Sequence, residues 1–115
     1  MTAAQPASPP GVERRVAHRR QPAMGTICRL DHPGNGKPAI GLLWNISTSG
    51  VSMLLHDPCD PGSSLVGILE TLTGNHTLPV TGQVIHLKQL ETGDYFVGVH
   101  FSRALGEDEL KPFVS

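Results

Sequence analysis

The chain has 115 residues, 38% hydrophobic and 17% charged, enough for one domain around a single core and too few for two. Its formal charge of −1 hides an asymmetry: Arg14, Arg15, Arg19 and Arg20 give residues 14–20 a charge of +4, and five bases against ten acids leave the remainder at −5. A basic arm on an acidic body suits a compact anion and speaks against a long polyanion such as duplex DNA, while one Trp, one Tyr and three Phe speak against a stacking platform for single-stranded nucleic acid.

Residues 1–12 are small and proline-rich, with nothing to bury, and are expected to form a disordered, dispensable tail. The basic arm, 13–23, comes before the first strand signal and reads as a flexible lead-in to a barrel over 24–102. Residues 24–31 alternate as a strand, and His32, Pro33, Gly34, Asn35 and Gly36 are dense turn chemistry. Residues 37–45 read as a second strand, and a reversal at 47–50 leads to a third over 51–55, where Val51, Met53 and Leu55 share one face. After the turn signals of 57–62 comes a fourth strand, 64–72, closed by Gly74 and Asn75. A long fifth strand, 77–88, carries Gly82 as a bend. The sixth, 95–101, alternates in strict period two through Tyr95, Val97, Val99 and Phe101. Six strands at roughly ten-residue intervals predict an all-β closed barrel or sandwich. The acids at 107–109 suit a helix N-terminus and Pro112 limits its continuation, so 104–112 is expected to hold one or two helical turns.

Several chemistries find no support in this pattern. Cys28 and Cys59 have no metal-ligand spacing and read as reduced thiols. The six histidines form no His-x-His or His-x₃-His pair, so no metal or other cofactor is expected. Ser47 and Ser49 lack a Gly-x-Ser-x-Gly elbow and an acid–base pair, which argues against an enzyme. No apolar run approaches the ~18 residues that cross a bilayer, and no apolar leader is evident, so the expectation is a cytoplasmic protein without a membrane partner.

Two motifs carry the functional signal. The first is Arg15-x-x-x-Arg19, with Arg14 directly ahead of it. The second is Asn45-x-Ser47-x-x-Gly50. A planar guanidinium can fork onto a phosphate, pair with guanine O6 and N7, or stack on a purine face. Asn45 and Ser47 bring short polar groups to a strand reversal, and Gly50 permits a positive φ or a close backbone approach to a ligand. Taken alone, each motif reads equally as a solvated basic tail or an ordinary turn. Together, and with Gly98-Val99-x-Phe101 in the last strand, they resemble the signature of PilZ domains, in the Asn form of a motif that often has Asp.

The resemblance runs from about Glu13 to the C-terminus. It implies a six-stranded antiparallel β-barrel with a short C-terminal helix, and a monomeric receptor for cyclic di-GMP rather than an enzyme. Arg14, Arg15, Arg19, Asn45, Ser47 and Gly50 would contact the ligand, the arm folding over it and signalling to a separate downstream protein. Arg14, in the position associated with an intercalated ligand pair, implies two cyclic di-GMP molecules per chain. The alternative is a PilZ-like protein-interaction adaptor that does not bind nucleotide. A small nucleic-acid-binding barrel is a third reading. Trp44, preceding Asn45, should point away from it by strand alternation, toward the core or a partner rather than toward a ligand.

Overall fold

The computed structural model describes residues 19–31 and 38–115. The tail 1–12, Arg14, Arg15 and the turn at 32–36 lie outside the described residues. Six strands form: β1 (Ile27–Asp31), β2 (Ala39–Ile46), β3 (Gly50–Leu55), β4 (Ser64–Glu70), β5 (Thr77–Gln89) and β6 (Tyr95–Phe101). They close into a barrel in the order β1-β2-β3-β6-β5-β4, every neighbouring pair antiparallel. Closure leaves no unpaired sheet edge, the usual liability of a small all-β domain.

Alternation decides what fills the interior. Leu65 and Leu69 of β4, Val97, Val99 and Phe101 of β6, and Val51, Met53 and Leu55 of β3 point inward and are buried. Cys28 and Leu30 of β1 join them. Burial pushes the Cys28 thiol up to about 12, so it behaves as a small apolar side chain with essentially no thiolate at neutral pH. At an apolar gain of roughly 25 cal/mol per Å², this aliphatic lining is the main term holding the barrel together.

The C-terminal segment completes the core. A single turn, α1 (Glu107–Leu110), tightens into a 3₁₀ turn (Lys111–Phe113) where Pro112 prevents a longer helix. Leu105, Leu110 and Phe113 are buried in the same apolar cluster. Glu109 accepts from the Gly106 backbone N–H at 2.8 Å and from both terminal nitrogens of Arg103 at 3.0 Å. The Arg103 contact, aided by that N–H, holds the Glu109 carboxyl down to about 2, so the pair stays ionised across the physiological range.

The end of the arm differs from expectation. Residues 20–23 are not a loose lead-in but are laced between β2 and the C-terminus by backbone hydrogen bonds. Arg20 N–H donates to Ile46 O at 2.8 Å and Ile46 N–H returns to Arg20 O at 3.1 Å. Ala23 N–H donates to Phe113 O at 2.9 Å, and Ser115 N–H to Gln21 O at 3.1 Å. The first strand accordingly begins at Ile27, after a turn in which Thr26 closes back on Ala23 O through both its N–H and its hydroxyl.

Candidate functional site

Clamping residues 20–23 fixes where the arginine arm leaves the barrel. Along this extended stretch successive side chains diverge, and Arg19 and Arg20 do so with different partners. Arg20 turns to α1 and pairs with Glu107 at 2.7 Å. Arg19 turns to the outer barrel face, where its Nη1 donates to Asn45 Oδ1 at 2.7 Å and to Ser52 Oγ at 3.2 Å. Asn45 and Ser52 face each other across β2 and β3, so the acceptors are set by strand register. The arm of the first motif and the asparagine of the second thus meet. The remaining N–H groups of Arg19, which has five in all, leave donors for an anion.

Between the clamped segment and β2 lies an open groove of about 610 Å³, lined by residues 19–26 and by Leu43, Trp44 and Asn45. Trp44 and Asn45 do not point to opposite faces as strand alternation predicts. Trp44 keeps the outward phase of the exposed Ile40 and Leu42, and the β2–β3 register slip between Leu43 and Asn45 brings Asn45 to the same face instead of the opposite one. Trp44 is therefore not a core residue. It is 61% exposed and shares the groove with Asn45.

The turn after Asn45 is built by Ser47, which is fully buried. Its Oγ accepts from Ser49 N–H at 3.1 Å and Gly50 N–H at 3.2 Å, while Ser47 N–H donates to Gly50 O at 2.9 Å. The hydroxyl expected to face a ligand is bonded inside its own turn. Ser47→Ala should leave the two amides without their acceptor, one of them buried, and cost about 1–3 kcal/mol of stability. A urea-melt midpoint checks this, and an unchanged midpoint contradicts it.

Gly50 also differs from the expected positive φ. Its φ is not among the positive ones. Glycine is required there by close approach, since a Cβ would lie well inside 3.0 Å of the Val99 carbonyl oxygen on β6. The backbone it must approach is the protein's own.

Among the described residues no cluster of three His, Cys, Asp or Glu side chains is placed to hold a metal ion. No helix among them is long and apolar enough to cross a membrane.

A guanidinium is thus drawn across the outer face of a small closed barrel onto an asparagine near the end of β2. The PilZ domain family model matches residues 13–114, and the chain belongs to the PilZ family. Solved structures of similar fold include K. pneumonia MrkH in complex with c-di-GMP (17% identity, 86% of this chain and 48% of that one, TM-score 0.65). The PilZ domain of Escherichia coli YcgR with c-di-GMP is similar at 12% identity over 86% of this chain and 85% of that one, TM-score 0.64. The Bacillus subtilis inhibitor of motility MotI/DgrA is similar at 19% identity over 82% and 47%, TM-score 0.55. The chain thus spans about half the length of MrkH and of MotI. No curated protein matches it.

Proposed function

We propose that this PilZ domain is a receptor for cyclic di-GMP, taken up in the groove between the arginine arm and β2. The carrying observation is the Arg19–Asn45–Ser52 contact at the groove, which presents an oriented guanidinium to an incoming phosphate or guanine edge. The cyclic di-GMP bound by MrkH and by the YcgR domain supports the same ligand class here. Arg14, Arg15 and Arg19 serve as phosphate and guanine ligands. Asn45 orients Arg19, and Ser47 and Gly50 hold the turn that places Asn45.

The clamp at residues 20–23 gives the arm a fixed pivot at Arg19. Ligand contacts made beyond the pivot stabilise one arm position by their differential affinity for it, which is the requirement for a ligand-driven shift. The Arg20–Glu107 pair at 2.7 Å and the backbone bonds to Phe113 and Ser115 join the pivot to the C-terminal surface. A change in the arm therefore reaches a surface that a downstream protein reads. The domain acts in the cytoplasm as a monomeric adaptor without catalysis of its own.

Calorimetric titration with cyclic di-GMP, with GMP and cyclic AMP as controls, tests the assignment. Saturable heat with cyclic di-GMP alone is expected, ending at two ligands per chain, because Arg14 adds a third guanidinium to offset four phosphate charges and to stack on an additional guanine. Arg14→Leu should lower the endpoint to one while binding persists. An endpoint of one for the unaltered protein contradicts the paired ligand, and no heat at all favours the nucleotide-free adaptor.

A further inference from the structure

Trp44 is the chain's single tryptophan, and its exposure needs an account. A lone exposed aromatic is ordinary on a protein surface. This one is held rather than loose. Its ring meets Phe96 nearly perpendicularly, centroids 6.3 Å apart at 82°. Phe96 is braced in turn by His86, at 6.2 Å and 74°. These contacts fix the indole while most of it stays open to the groove.

The surroundings match what a purine requires. Arg19 and Asn45 line the same groove as the indole, so an apolar plane and hydrogen-bonding groups converge on one space. Beyond Asn45 the outer face continues through Ser52 and Gly98 to His86, which face one another across β3, β6 and β5. Gly98 keeps that row low, since a Cβ there would stand 3.2 Å from the His86 Cβ. The slip in the β2–β3 pairing brings Asn45 to the outer face that Trp44 already shares with Ile40 and Leu42, so the indole and the Asn45-bound Arg19 guanidinium border one space.

Building on the cyclic di-GMP reading above, we infer that Trp44 is the stacking wall of the site: its indole face takes one guanine of the ligand, while Arg19 takes the phosphate or the guanine edge. Base–aromatic stacking is sequence-tolerant by itself, so Trp44 supplies affinity and the arginines supply the choice of guanine and phosphate. Because the chain has one tryptophan, its emission reports this contact without a label.

The test is emission and calorimetry run in parallel on the unaltered protein, Trp44→Phe and Trp44→Ala. Cyclic di-GMP should quench Trp44 emission with the same midpoint as the binding heat. Trp44→Ala should weaken binding roughly tenfold to a hundredfold, within the range seen when a stacked aromatic is removed. Trp44→Phe keeps an aromatic face against Phe96 and should lose less than the alanine variant. If Trp44→Ala does not fold, the emission and the Trp44→Phe affinity decide. Binding heat with unchanged Trp44 emission and unchanged affinity in the variants overturns the stacking role and leaves the ligand reading intact. No heat from the unaltered protein overturns both.

Discussion

Gly50→Val is expected to lose about 3 kcal/mol or more of stability, and ligand binding with it. The new Cβ would collide with the Val99 carbonyl, a backbone atom in a paired strand that cannot swing aside as a side chain can. Relief requires β3 to move off β6, which strains the ladder from Gly50–His100 to Leu55–Tyr95 and pulls on the turn that Ser47 closes. For a domain of this size the loss corresponds to a melting shift on the order of 10 °C. Gly50→Ala should already incur most of it, because the first carbon makes the clash. Circular dichroism melts of both variants check the prediction, and a fully stable Gly50→Val protein contradicts it.

Arg19→Ala should do the reverse, sparing the fold and weakening ligand binding. The Arg19 side chain lies on the surface and contributes no core packing, and the clamp at 20–23 depends on backbone atoms that the substitution leaves in place. Melting should stay within a few degrees. Binding should fall by about 1.5–3 kcal/mol, a tenfold to hundredfold loss, the usual value of a hydrogen bond to a charged group. Arg19→Lys keeps the charge without the planar fork and should recover only part. An Arg19→Ala protein that binds cyclic di-GMP as tightly as the unaltered chain contradicts the role given to Arg19.

Strand alternation carried the reading furthest where burial is one-sided. β6 falls at Tyr95–Phe101, as its period-two pattern requires, and β4 alternates buried and exposed side chains along its length. The two halves of the candidate site were legible as motifs, and the barrel brings Arg19 onto Asn45 across 26 residues of sequence. Three features left no comparable pattern. The clamp at 20–23 uses backbone hydrogen bonds, and Gln21, Pro22 and Ala23 carry no apolar period to announce it. The bulge beside Trp44 is an insertion of one residue in the strand pairing, visible only once β2 and β3 are aligned. The requirement for glycine at position 50 depends on how near β6 passes, a tertiary distance that a turn signature does not encode. Ser47 shows the same limit, because a serine that bonds a ligand and a serine that bonds its own turn are identical in sequence.

The most direct test of the account is a residue-by-residue amide NMR titration of the domain with cyclic di-GMP. The largest changes should fall on residues 19–26, 43–52 and Gly98, with smaller ones at Glu107 and residues 113–115 through the clamp. The amides of β4 and the 71–76 turn should stay fixed. Saturation with changes confined to the opposite side of the barrel, or no change at any amide, would contradict a cyclic di-GMP site in this groove.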